Sequence, residues 1–243
     1  MAPVLNARGI GLRFRGAAQS VLEGFDLVVE PGEFVAIVGS SGVGKSTLLR
    51  VVAGLVEPDS GTVTVTTTAA PDRRRRAIVF QDGRLMPWRD LRGNIGYGLE
   101  GLKISAAAGR ARVDKVLELT GLSHLAHRYP HQLSGGQIQR GGIARALAVQ
   151  PDLLLMDEPF SAVDALTRES LQDELLRLWQ VSGKAVLFVT HDIAEAVFLA
   201  DRIIVLAGSP AGIVMDERVG IARPRDRADP VLDAIEKRIG AAL

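Results

Sequence analysis

Three runs of the chain are apolar at every position: Phe34–Val38, Leu153–Met156 and Ala185–Val189. Each has the length of one strand. A strand that is apolar on both faces belongs in a parallel sheet covered by helices. Each run also stops abruptly in polar chemistry: Gly39 and Ser40 after the first, Asp157 and Glu158 after the second, Thr190, His191 and Asp192 after the third. A fourth run, Ile203–Leu206, follows Asp201 and Arg202. Between these runs, apolar residues return with helical spacing over Ser46–Gly54, around Leu166–Val181 and over Ile193–Ala200, with Gly54 placed to cap the first. Strands alternating with helices predict an α/β architecture. The front end reads as strands instead: Val21–Glu30 is apolar-rich, Pro31-Gly32-Glu33 makes a turn, and Thr62–Thr68 is β-prone. Ala77–Phe80 is a further short strand after four arginines, Arg73–Arg76, and from about Ser105 to Gln150 the pattern is mostly helical.

Composition narrows the class without choosing a function. With 47% hydrophobic and 23% charged residues, the 243-residue chain is an ordinary globular protein with a sizeable core. Its formal net charge of +1 gives no whole-molecule field for nucleic acid or anionic lipid. Without cysteine there are no disulfides or thiolate metal sites, which suits a reducing compartment. The N-terminus has no apolar signal core, and no stretch approaches the ~20 apolar residues of a membrane span.

Gly39-Ser40-Ser41-Gly42-Val43-Gly44-Lys45-Ser46-Thr47 fits the G-x-x-x-x-G-K-[ST] pattern, after an expected strand and before an expected helix. Glycines there let successive N–H groups turn onto phosphate oxygens, and the helix points its positive end at the same anion. Lys45 is placed to bridge β- and γ-phosphates and Ser46 to ligate Mg2+. In open α/β sheets ligands sit beyond the carboxyl ends of strands, so Asp157 and Glu158 are expected to converge on this loop. Asp157 is the candidate metal ligand and Glu158 the candidate to polarise the attacking water. His191, at the end of another such strand, can donate to the γ-phosphate and orient water.

Leu133-Ser134-Gly135-Gly136-Gln137 opens a long helical pattern reaching Gln150, with Ser134 as N-cap and two glycines that admit close backbone approach. It is a second phosphate-reading helix terminus, which makes sense if it serves a different nucleotide. Taken with Gln81, the acidic pair, Ser161-Ala162-Val163-Asp164 and His191 in that order, the whole chain resembles the ATP-binding subunits of ABC transporters. Phe80-Gln81-Asp82, Leu85-Met86-Pro87-Trp88-Arg89 and Glu195-Ala196 make it similar to importers of nitrate, aliphatic sulfonates, taurine and related small anions or metabolites.

The resemblance implies a P-loop NTPase fold of the ABC type, with an N-terminal antiparallel β part and a helical subdomain of about 84–150 inserted in one domain, 1–243. It implies a head-to-tail dimer that sandwiches two ATPs between the phosphate loop of one copy and Ser134, Gly135, Gly136 and Gln137 of the other. Phe14 falls at the family's adenine-stacking aromatic, although on its own residues it reads as a core strand position. Gln81 is implied to sense Mg2+ and water, and Asp164 to communicate across the dimer. The implied setting is peripheral, on the cytoplasmic face of the inner membrane, against permease subunits served by a solute-binding protein. A soluble ABC-type ATPase acting on DNA or the ribosome is the alternative, but no fused second ATPase, coiled-coil insertion or basic linker accompanies the motifs.

Two departures stand out. Gly141 and Gly142 fall within the signature helix, where each glycine costs about 1 kcal/mol relative to alanine. They predict either a soft helix or unusually close packing. Val163 stands where leucine is usual, a conservative change. Arg73–Arg76 reads as a solvated loop without aromatic interleaving, and His124, His127 and His131 lack the acids or thiols of a metal site.

Overall fold

The computed structural model describes residues 2–66, 70–161 and 163–243; Thr67 and Thr68 of the expected strand, and Ala162, lie outside them. The chain forms two compact units, Met1–Thr66 with Ala185–Leu243, and Thr67–Lys184.

In the first unit, β1 (Leu5–Leu12) lies between β2 (Leu22–Val29) and β4 (Ser60–Val65), antiparallel to both. This is the expected antiparallel front part. β1 buries Leu5, Ala7, Ile10 and Leu12, and the three-residue step after Ala7 coincides with a register shift. Such a bulge keeps the apolar residues on one face. The apolar run of β3 (Phe34–Gly39) is buried throughout, flanked in parallel by β7 (Ala185–Thr190) and β8 (Arg202–Ala207). β9 (Gly212–Arg218) pairs antiparallel with β8. α1 (Lys45–Ala53) ends at Gly54, whose left-handed backbone (φ 70°) lets its N–H reach the carbonyls of Arg50 and Val51. α6 (Ile193–Leu199) packs against α7 (Pro230–Ala242), which buries the stripe Leu232, Ile235 and Ile239. The buried Arg225 donates to the carbonyls of Val197, Phe198 and Ala200 and so caps the end of α6 from a distance. Burial pulls its guanidinium down to about 10, still charged at neutral pH.

In the second unit, β5 (Arg76–Val79) runs parallel to β6 (Leu153–Asp157). The helices are α2 (Leu91–Tyr97), α3 (Ala106–Leu119), α4 (Gly135–Ala148) and α5 (Ala165–Ser182). Leu91, Ile95, Val113, Leu117, Ala144 and Ala148 form one core beneath α2, α3 and α4. The buried Asn94 accepts from the N–H of Met86 and donates to the carbonyls of Met86, Arg89 and Asp90. Those four bonds fix the loop that carries Trp88. Among the described residues, no helix is long and apolar enough to cross a membrane.

Candidate functional site

The first unit builds a cradle for an anion. A Cβ on Gly39 would stand 2.6 Å from the carbonyl oxygen of Leu206, so only glycine lets the chain leave β3 at this angle. Gly44 turns the chain into α1 with φ 118°. Between them Ser40, Ser41 and Gly42 are exposed and Val43 is buried as an anchor. The Lys45 ammonium donates to the carbonyls of Gly39 (2.7 Å) and Ser40 (3.0 Å). Ser46 and Thr47, half-buried, occupy the first turn of α1. No side chain caps α1, and its first turn has no acidic residue. The N–H groups of the first turn, the positive helix end and a cation therefore gather at one loop. That arrangement fits a polyphosphate.

Val38 pairs with Thr190, so the chain leaves β7 at His191 level with the point where it leaves β3 for the phosphate loop. His191 itself is exposed, and the turn that presents it is fixed. The Thr190 hydroxyl donates to the Glu195 carboxylate (2.7 Å) and accepts from the N–H of Asp192 (3.0 Å). Asp192 in turn accepts from the N–H of Glu195 (3.1 Å). Thr190 and Glu195, marked in the sequence only by their place in the pattern, prove to be the residues that support His191. The Asp-x-x-Glu spacing of a helix start was the available signal. Phe14 corrects its own-residue reading: it is not core but 47% exposed, on the loop between β1 and β2. That loop closes through the N–H of Val21 on the Leu12 carbonyl, and Val21 borders Gly44.

The second unit carries the remaining candidates. Asp157 ends β6, only 9% exposed. Glu158 follows with φ 45°, a left-handed backbone that a non-glycine residue adopts under constraint. The Ser161 hydroxyl donates to the Glu158 carbonyl (2.9 Å) and holds that turn. Gln81 is exposed just beyond β5. At the start of α4, Ser134 and Gln137 cap reciprocally: the N–H of Ser134 donates to Gln137 (2.9 Å) and the N–H of Gln137 to Ser134 (3.3 Å). Nothing lies within 4 Å of a Cβ placed on Gly135, whereas one on Gly136 would stand 3.2 Å from Thr167. Asp164 accepts from the N–H of that same Thr167 (3.0 Å) as the N-cap of α5. The signature tip and the Asp164 turn are thus neighbours.

Close packing, not softness, explains the paired glycines. A Cβ on Gly141 would stand 2.8 Å from Leu91, and one on Gly142 would stand 3.0 Å from the Gly83 backbone. Trp88 is 73% exposed, which local packing of its loop does not account for.

Comparison with known proteins shows the family and the fold. The ABC transporter family model matches residues 22–161. The chain is 45% identical over 235 residues to an aliphatic sulfonates import ATP-binding protein of Pseudomonas fluorescens, covering 97% of this chain and 85% of that one. It is 43% identical over 221 residues to a taurine import ATP-binding protein of Pseudomonas syringae pv. tomato, covering 90% and 85%. Among solved structures, cbiO1 of Clostridium perfringens, part of an ABC transporter complex, superposes with a TM-score of 0.79 at 26% identity over 90% of each chain. A dimeric ATP-binding cassette in a post-hydrolysis state, bound to ADP and Pi, matches with a TM-score of 0.73 at 31% identity over 90% of this chain and all of the other. With motifs, fold and relatives in agreement, the chain belongs to the ABC transporter family.

Proposed function

We propose that this chain is the ATP-hydrolysing subunit of an importer for small sulfonates or related anions, working as a head-to-tail dimer on the cytoplasmic face of a membrane permease. The observation that carries the nucleotide site is the cradle at α1, where an uncapped helix start and the Lys45 ammonium meet on a glycine loop. In this reading the loop backbone and Lys45 bind the β- and γ-phosphates of ATP, and Phe14 stacks on adenine. By the family resemblance Ser46, Gln81 and Asp157 would hold Mg2+, which would neutralise charge on the phosphates. Glu158 takes the proton of the attacking water, and His191, aimed by Thr190 and Glu195, donates to the γ-phosphate. Ser134, Gly135, Gly136 and Gln137 approach the ATP held by a second copy, and Asp164, beside them, links the two sites. Trp88, exposed on a pinned loop, suits a permease contact, because large amphipathic aromatics anchor interfaces. The transport substrate class comes from the relatives, named for aliphatic sulfonates and taurine. Selection of the solute itself falls to a binding protein and the permease.

The test is Glu158→Gln. It is expected to retain ATP-dependent dimerisation by size-exclusion chromatography while turnover falls on the order of 100-fold or more, as for loss of a general base. Near-normal hydrolysis removes Glu158 from its role.

A further inference from the structure

The body of α4, beyond the signature tip, grips the turn that carries Gln81. Gly83 and Arg84 are both left-handed, φ 65° and 43°, and for arginine such a backbone persists only where its surroundings over-determine it. The surroundings here are α4. Two guanidinium nitrogens of Arg145 donate to the carbonyls of Gly83 (2.8 Å) and Arg84 (2.7 Å), and Gln139 donates to that of Phe80 (3.4 Å). The glycines let backbone meet backbone: a Cβ on Gly142 would stand 3.0 Å from the Cα and oxygen of Gly83, and one on Gly83 would stand 2.9 Å from the Ile138 carbonyl. The Arg84 guanidinium folds back over the Phe80 ring, 3.8 Å from its centroid, and closes the turn. Gln81 and Asp82 sit exposed at its crest. Burial lowers the pKa of Arg145, against the charges of Tyr97 and Asp82, yet a guanidinium stays protonated.

We propose that Arg145 is a positioning residue for Gln81: its two-pronged clamp, seated on the Gly83–Gly142 contact, joins the turn and the signature helix into one piece. What the tip of α4 feels from the second copy's nucleotide then reaches Gln81 of the same copy. Stiff elements with two arrangements carry such coupling. The proposal rests on the reading of Gln81 as the group that senses Mg2+ and water at the ATP site, which the Gln81→Ala variant tests by itself.

The experiment compares the full chain with Arg145→Ala, Arg145→Lys, Gln81→Ala, the Gln81→Ala/Arg145→Ala double variant and Arg177→Ala. Arg177 gives its guanidinium to the Leu119 carbonyl, so its loss removes an arginine–carbonyl bond away from the turn. Arg145→Ala is expected to lower kcat about tenfold while the Kd for ATP stays within about twofold, and to add nothing further once Gln81 is gone. Amide hydrogen exchange over residues 80–85 is expected to rise in Arg145→Ala, to recover in part in Arg145→Lys, and to stay unchanged in Arg177→Ala. If Arg145→Ala does not fold, Arg145→Lys carries the same comparisons. Equal effects of Arg145→Ala and Arg177→Ala, or multiplying effects of Arg145→Ala and Gln81→Ala, overturn the proposal. Normal turnover in Gln81→Ala overturns the reading of Gln81, and this proposal with it.

Discussion

Two helices of this protein begin at glycine-rich sequence, and they begin in opposite ways. α1 starts at Gly44 with no side chain to cap it, and the cation that follows donates back to the loop carbonyls. α4 starts at Ser134 with a complete reciprocal cap to Gln137, and its leading glycine faces open space. At α4 the reciprocal cap engages the N–H groups of Ser134 and Gln137, whereas no side chain caps the first turn of α1. The difference separates two tasks that share a residue vocabulary. In the proposed function α1 holds an anion, and α4 is approached by a second copy.

The largest expected effect falls on α1. Lys45→Ala removes the only charged group in the phosphate loop and is expected to weaken ATP binding on the order of 100-fold, measured by titration calorimetry. Unchanged affinity would place the anion elsewhere. A smaller effect falls on the body of α4. Gly142→Ala gains about 1 kcal/mol of helix propensity but meets the Gly83 backbone at 3.0 Å, where overpacking costs roughly 1–3 kcal/mol. The melting temperature is expected to fall by about 2–4 °C, and a rise would mean that the glycines merely soften the helix.

The smallest effect lies away from both helix starts. If nucleotide recognition rests on backbone dipoles, acid sensitivity of folding belongs to ion pairs elsewhere. Between β8 and β9 the hydrogen bonds from Arg202 (2.7 and 2.6 Å) hold the Asp216 carboxyl below the usual carboxylate range. A lowered native pKa adds stability that is complete above the unfolded value of ~3.9 and is lost as pH falls through the native one. Asp216→Asn should therefore lower the melting temperature at pH 7, and the gap from wild type should shrink below about pH 4. A gap that widens in acid contradicts the assignment.

Much of this was legible in the sequence because the runs of β3, β6 and β7 are unbroken and each ends in a motif. The alternation of strand and helix followed from them, as did the cap at Gly54 and the N-cap at Ser134. Other features were hidden for physical reasons. β9 pairs with β8 along one edge and buries no residue fully, and Gly212, Ile213 and Val214 are all exposed, so its first half carries no alternation to read. α7 dilutes its stripe with charge, although Asp229 before Pro230 marks a helix start. Phe14 looked like core because exposure of an aromatic is not written in its neighbours. Arg145 is visible only once the chain folds α4 against the Gln81 turn, since its partners are main-chain carbonyls that carry no sequence signal.

The contrast between the two helix starts is tested most directly by covalent capture, which a chain without cysteine makes clean. Ser41→Cys and Gly135→Cys are placed on separate copies, each in the Glu158→Gln background, mixed with MgATP and treated with a short thiol crosslinker. A covalent dimer that joins phosphate loop to signature is expected, dependent on ATP and formed by the mixture far more than by either variant alone. No crosslink between copies, or an efficient one within a single chain carrying both cysteines, contradicts it.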